Sequence, residues 1–184
     1  WYQIPNTRLR PVCAGENEFP QVLGNSGCQS ITGAWNGGIA DTLRNRLIIW
    51  GGGHLDYDGN ELYALNLNTL TMTRLTDPCL NFASGADACT DAQGTQAGTR
   101  HTYGGIAYIA HADRMHARSG SPRDGGCDPS GLNNWTYNFA GTAPGTKWQR
   151  MNTTMANTTE RCANTSDYDP NTGRVFFTTQ NEFA

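Results

Sequence analysis

The sequence contains little charge and almost no lysine. Charged residues make up 16% of its 184 residues, and Lys147 is the single lysine beside 12 arginines. The formal net charge of −3 argues against a protein that binds nucleic-acid backbones, and the low charge content argues against a disordered tail. The longest apolar runs, 47–50 and 106–110, fall far short of the roughly 20 residues of a membrane helix. We therefore predict a soluble protein with no nucleic-acid partner and no membrane span.

Helical periodicity is missing too. No stretch of about eleven residues repeats its apolar positions with the helical period of 3.6. Glycine and threonine each occur 22 times and asparagine 17 times. These residues are poor helix formers, whereas threonine favours strands and glycine and asparagine favour turns. The sequence predicts an all-β fold.

Six cysteines are present, but none forms a C-x-x-C pair. Two short-range pairs, Cys13–Cys28 and Cys79–Cys89, each bracket a loop-like stretch and would leave Cys127–Cys162 as the third. Since six cysteines allow 15 pairings, other connectivities stay open. Disulfides favour an extracellular or periplasmic location. Six buried thiols in a cytosolic protein are the alternative, and a zinc site is less favoured because no Cys/His group has finger spacing.

Four N-x-S/T sequons agree with a secreted glycoprotein. They cluster in the last third of the chain, although this asparagine and threonine content produces such triplets by chance as well. The candidate glycosylation sites are Asn134, Asn152, Asn157 and Asn164.

Three segments of the chain repeat. Residues 35–50, 102–118 and 168–177 each predict a strand, a turn containing Asn or Asp, and a second apolar strand. The first copy is followed by Gly51–Gly53 and then by 61–67, whose alternating pattern is typical of a half-buried strand.

A closing strand completes each unit. Residues 1–4, 72–75 and 148–151 share a large apolar residue followed three positions later by an aliphatic one. One unit is therefore four antiparallel strands joined by glycine-rich turns, repeated at a period above 50 residues. This organisation is typical of propeller blades.

The first unit resembles a known family. Leu47-Ile-Ile-Trp-Gly-Gly-Gly53, followed by Tyr63 and by Met72 in the usual tryptophan position, resembles the kelch motif of galactose-oxidase-like propellers. The longer string from Gly51 to Tyr63 is similar to secreted bacterial kelch-type propellers, some of which are polysaccharide lyases of the ulvan-lyase kind. The resemblance implies an extracellular kelch-type β-propeller and a carbohydrate ligand.

The expected ring is partial. We assign 1–4 to a closing strand, 31–75 and 99–151 to complete blades, and 160–184 to the start of a further blade, all in one propeller segment 1–184. Propellers close with four to eight blades. We therefore expect the ring to be completed by more chain or by further copies.

Antiparallel blades bring two groups of loops to one face. The loop after the second strand and the loop entering the next blade emerge together, near the axis. The first group contains His54, Asp56 and Tyr57. The second contains Arg100, His101 and Tyr103. The equivalent positions one blade further on include Arg123 and Arg161.

These residue types suit β-elimination on a uronate-containing polysaccharide. A histidine, His54 or His101, would remove the proton beside the carboxylate, and Tyr103 or Tyr57 would protonate the leaving oxygen. Arg100 would bind the carboxylate in a planar fork. The remaining candidates, Tyr57, Asp56, Arg123 and Arg161, would bind substrate.

Plainer interpretations stay open. His54 could simply fix its loop, and Asp56 is a good turn former. A non-catalytic extracellular propeller that binds glycan or protein, or serves as a structural glycoprotein, is the alternative function. A radical-copper oxidase is disfavoured because no convincing set of Tyr, His and Cys ligands is visible. We predict no cofactor, and no loop has a pattern specific enough to assign a structural calcium or zinc.

Overall fold

The structure, a computed structural model, describes residues 2–81, 88–118, 120–122, 134–151 and 164–179. It is mostly β, as predicted, with antiparallel sheets and a few helical turns. Among the described residues, no helix is long and apolar enough to cross a membrane. The strands, in chain order, are β1 (Gly38–Asp41), β2 (Arg46–Ile49), β3 (Tyr63–Asn66), β4 (Thr71–Arg74), β5 (Ala88–Asp91), β6 (Gly94–Ala97), β7 (Arg100–His101), β8 (Ile106–Ile109), β9 (Arg114–Arg118), β10 (Ser121–Pro122), β11 (Asn134–Asn138), β12 (Trp148–Arg150), β13 (Asn164–Asp169) and β14 (Arg174–Thr179).

Two four-stranded sheets share one connectivity. The first sheet has the order β1-β2-β3-β4 and the second has the order β8-β9-β11-β12, with every neighbouring pair antiparallel. They occupy the two segments that the repeats predicted as four-stranded units. The remaining strands form the hairpins β5-β6 and β13-β14 and the short pair β7-β10, and no sheet closes on itself among the described residues.

The first strands of the two sheets and of the β13-β14 hairpin lie side by side. β8 lies between β1 and β13. The segments before β1 and β8 are joined by a backbone hydrogen bond from Tyr103 N to Trp35 O at 2.7 Å, and Ser166 N of β13 donates to Gly104 O at 2.7 Å. The segments that enter β1 and β8 therefore lie together on one face of the molecule.

The core between the two sheets is aromatic. Trp50 of the first sheet packs against Trp148 of the second with ring centroids 5.0 Å apart. Ile48 and Leu62 reach this cluster from the first sheet, and Trp135 reaches it from the second. In β8, β9 and β11, alternate residues face this cluster, as the period of two along a strand predicts.

The N-terminal segment covers the opposite face of the first sheet. It contains α1 (Ala14–Asn17), α2 (Ser30–Gly33) and three single 3₁₀ turns, none of which the sequence predicted. Residues 2–4, predicted as a closing strand, form no strand. The outer strand β4 is met instead by Asn6, whose carbonyl accepts a 3.1 Å hydrogen bond from Met72 N.

Two of the predicted disulfides are confirmed. Cys13–Cys28 ties the N-terminal segment together, and Cys79–Cys89 joins the chain after β4 to strand β5. The third predicted pair, Cys127–Cys162, lies outside the described residues.

Candidate functional site

Two histidines face each other beside the ends of β2 and β7. His54 follows the glycine run that leaves β2, and His101 ends β7, which pairs with β10 through Ser121. The two imidazole centroids are 5.6 Å apart. The run needs glycine because a Cβ at Gly53 would lie 2.0 Å from the Tyr57 carbonyl oxygen. The predicted convergence of the two loops thus depends on a close backbone approach.

The backbone fixes the tautomer of His54. Its Nδ1 lies 3.1 Å from the carbonyl oxygen of Pro122 and 3.1 Å from Ser121 Oγ. A carbonyl only accepts hydrogen bonds, so Nδ1 carries the proton and Nε2 keeps its lone pair. Since His54 is an exposed residue, that ring can accept a proton from a ligand.

An aspartate holds His101 in place. The Nε2 of His101 lies 2.8 Å from Asp56 Oδ2, and the His101 side chain is only 6% exposed. A neutral His101 therefore donates from Nε2 and leaves Nδ1 as the acceptor. Asp56, expected to touch substrate, serves here first as the partner of His101.

Aromatic rings flank His101 on two sides. Trp35 lies 5.2 Å from it and Tyr103 6.0 Å, measured between ring centroids. Both aromatic residues have a left-handed backbone, each with φ of 49°. Sequence reasoning missed Trp35, although its place just before Asn36-Gly37-Gly38 at the entry to β1 was a usable signal.

Tyr57 does not reach this face. The chain turns inward after Asp56, and the Tyr57 hydroxyl donates to Glu61 Oε1 in the interior, where the Tyr63 hydroxyl donates to the same oxygen. The Gly15 amide also donates to the Tyr57 hydroxyl. Burial raises the pKa values of Tyr57 and of Glu61. The expectation that Tyr57 binds substrate or protonates a leaving group is therefore corrected, because its hydroxyl is fully used inside the fold.

Arg100 is buried as well. Neighbouring strand residues point to opposite sides, so Arg100 faces inward where His101 faces the site. Its Nε donates to the Gly98 carbonyl at 3.1 Å and its guanidinium carbon lies 5.7 Å from the Trp50 ring. At 1% exposure it offers no fork to a polymer carboxylate, which corrects the role expected for it.

The remaining predictions concern two arginines and the four sequons, and the structure describes only some of these residues. Arg123 and Arg161 lie outside the described residues, as do the sequons at Asn152 and Asn157. Asn134 is only 6% exposed and its Oδ1 lies 2.6 Å from His116 Nε2, so the folded sheet leaves no room for a glycan there. The fourth sequon, at 164, begins β13.

Among the described residues, metal ligands are not assembled at this face. In the part of the chain that the structure describes, no three His, Cys, Asp or Glu side chains come close enough together to hold an ion. The arrangement offers instead two imidazoles with assigned tautomers, one carboxylate and two aromatic rings, which suits proton transfer on a ligand that stacks on aromatics. Searches for a matching protein-family model and for a similar curated protein find none.

Proposed function

We propose that the protein is a secreted polysaccharide lyase that cleaves a uronate-containing glycan by β-elimination. The observation that carries this proposal is the pair of facing histidines, of which the exposed His54 has a proton fixed on Nδ1 by Pro122. An imidazole with a bare Nε2 at the surface is a suitable general base near neutral pH.

The chemistry divides among three residues. His54 Nε2 takes the proton from the carbon beside the uronate carboxylate, and the electrons of that C–H bond form a carbon–carbon double bond. The bond from the adjacent carbon to the glycosidic oxygen then breaks, and the Tyr103 hydroxyl protonates that oxygen. His101 acts as a positioning residue, because its ring contacts both His54 and Tyr103 while Asp56 holds it.

Charge neutralisation of the carboxylate needs a cation other than Arg100. Arg123 and Arg161 remain the proposed substrate-binding cations, from the equivalent positions of the next repeat. Arginine suits this task because its planar fork matches a carboxylate.

A kelch-type β-propeller is the proposed architecture. Two sheets of the same connectivity and a third hairpin, with their first strands side by side, support it. The ring would be completed by more chain or by further copies. The two disulfides fit an oxidising compartment, and we propose an extracellular or periplasmic location.

A non-catalytic glycan-binding module is the second candidate. It is favoured by Trp35, which is exposed beside the histidines where a sugar ring could stack. Such a module would need Trp35 but not the proton on His54.

The test is product formation from uronate polymers. Pectate, alginate, hyaluronan and ulvan are incubated with the protein, and the unsaturated products are followed by their ultraviolet absorbance. We expect turnover of at least one polymer, and a loss of about 1,000-fold in kcat for His54→Gln, the scale of a lost general base.

The matched control is His111→Gln. His111 is exposed and bonds Tyr168 at 2.5 Å, away from the site, so this variant should keep the wild-type rate. Absence of unsaturated product from all four polymers, or full turnover by His54→Gln, would refute the lyase proposal.

A further inference from the structure

Trp35 is out of place for a residue that only stabilises the fold. It is 67% exposed, whereas the other described tryptophans, Trp50, Trp135 and Trp148, are at most 5% exposed in the core between the sheets. Most of its indole therefore contributes nothing to the apolar cluster. Its ring nevertheless has a fixed neighbour, His101, at 5.2 Å.

The backbone at Trp35 adds a second anomaly. Its φ of 49° lies in the left-handed region, which costs a bulky residue energy that glycine would not pay. Strained residues of this kind concentrate at binding sites. The mostly exposed indole on a strained backbone therefore suits a binding role better than a packing role.

A cleft opens beside the indole. Its volume is about 330 Å³, at the lower end of the range for ligand pockets. Hydroxyl, amide and carboxylate groups line it next to the aromatic ring, a combination that suits the hydroxyl groups and apolar carbons of one sugar ring. The lining residues used here are Ser26, Gln29, Ser30, Trp35 and Asp56.

The charge of the cleft selects the kind of sugar. Among the residues that the structure describes, no cationic side chain lines the cleft, and the single charged residue is Asp56, whose carboxylate binds His101 at 2.8 Å. A uronate would place its own carboxylate beside that of Asp56, and like charges repel. The occupant that fits is an uncharged pyranose.

We infer that Trp35 and this cleft form a subsite for one neutral sugar ring, adjacent to the unit that reacts at His54. The inference rests on the proposed function, since Asp56 is shared between the cleft and the histidine pair. It narrows the substrate class to a glycan in which a neutral residue neighbours the uronate.

Binding of small neutral glycans tests the subsite without turnover. Cellotriose, xylotriose and mannotriose are titrated against the protein beside trigalacturonate, with tryptophan fluorescence and calorimetry as readouts. We expect at least one neutral trisaccharide to bind and to change the Trp35 emission. In Trp35→Asn, which keeps a residue that tolerates left-handed φ, its Kd should rise about tenfold. Trp35→Phe, which keeps an aromatic ring, should raise the Kd by less.

One control variant and one control ligand, trigalacturonate, test whether the binding is specific. Leu43→Ala removes another exposed apolar side chain, in the turn between β1 and β2 at the other end of the sheet, and should leave binding unchanged. Wild-type affinity in Trp35→Asn, or binding of trigalacturonate alone, would overturn the subsite.

The subsite and the lyase chemistry fail separately. If neutral trisaccharides bind through Trp35 but no polymer yields an unsaturated product, the subsite stands and the proposed reaction is refuted. If product forms and Trp35→Asn binds neutral sugars like the wild type, the reaction stands and the subsite is refuted.

Discussion

The two four-stranded sheets share their connectivity but differ in what covers the faces that they turn away from each other. On the first sheet, Tyr63 and Met72 point into an apolar cluster built with Cys13, Val22 and Ile31 of the N-terminal segment. On the second sheet, the corresponding face carries buried polar side chains. These are His116, Arg118, Asn134 and Thr136.

The difference shows which segment of the chain positions the candidate site. The N-terminal segment forms an apolar cover over the first sheet, and this cover also reaches the candidate site. Asn25 N and Ser26 N donate to the carbonyl oxygens of Leu55 and Asp56 at 2.8 and 2.9 Å. The cover thereby fixes the loop that presents Asp56 to His101. The repeated segments form two similar sheets. The N-terminal segment, which has no counterpart in the second repeat, positions the candidate site at the end of the first sheet.

Removing the Cys13–Cys28 disulfide, which holds the covered face of the first sheet, should cause the largest loss of stability. The bond closes a loop of 15 residues, and its loss from a Cys13→Ala/Cys28→Ala variant should lower the free energy of unfolding by about 3 kcal/mol. Because both cysteines belong to the apolar cluster, the cover should loosen as well. Denaturant unfolding measures the loss of stability.

The second disulfide is the matched control. Cys79–Cys89 closes a loop of 10 residues, for which loop entropy predicts nearly the same loss, but neither cysteine belongs to the cluster beneath the cover. The Cys13–Cys28 variant should therefore lose more stability than Cys79→Ala/Cys89→Ala and, under the proposed function, also more turnover of uronate polymer. Equal losses in both would mean that the cover adds nothing beyond its cross-link.

The polar face of the second sheet should respond to acid. Burial lowers the pKa of His116 from 6.5 to about 4. The unfolded chain therefore binds a proton below pH 6.5 that the folded protein takes up only near pH 4, and stability falls as the pH drops through this window. At pH 5 the loss relative to pH 8 should be about 2 kcal/mol. His116→Gln should remove it, as measured by unfolding at each pH.

Glu61, just before β3 of the first sheet, should give stability the opposite dependence on pH. Burial raises the pKa of Glu61 from 4.5, so the folded state holds that proton more tightly and stability declines as the pH rises above 4.5. The wild-type profile contains both contributions. The difference between wild type and His116→Gln, compared at each pH, isolates the histidine. A difference that does not change between pH 8 and pH 5 would refute the role of His116.

Sequence reasoning recovered the parts of the fold that repeat. Strand alternation and the glycine run gave the four strands of the first sheet because both signals are local. The helical turns between residues 10 and 33 escaped it, since α1 and α2 are each four residues long and depend on tertiary packing rather than on periodicity. The hairpin β5-β6 was missed for the same reason.

At the site, chain position was easier to predict than side-chain direction. The antiparallel order was enough to bring His54 and His101 to one face. It did not reveal that Tyr57 bonds Glu61 in the interior or that Arg100 packs over Trp50. Those outcomes depend on one-residue alternation within very short segments, where a single step reverses the side chain.

The smallest expected effect concerns the link between the two sheets. In the β1-β2 turn, Arg44 makes a two-pronged ion pair with Asp113 of the β8-β9 turn, with N–O distances of 2.7 and 2.5 Å. The Tyr108 hydroxyl also donates to Asp113, and together these bonds hold the pKa of that carboxyl below its ordinary 3.8. Arg44 is 35% exposed, so solvent screens the pair and its contribution stays modest.

Arg44→Ala should therefore lower the free energy of unfolding by about 1 kcal/mol, and added salt should shrink the difference. Arg44→Lys should recover only part of it, because an ammonium cannot form the two-pronged contact. The contribution is present above pH 3.8 and is lost as acid protonates Asp113 below that value. Denaturant unfolding at neutral pH in low and high salt measures it. If Arg44→Ala matches the wild type in low salt, the aromatic core around Trp50 and Trp148 joins the sheets unaided.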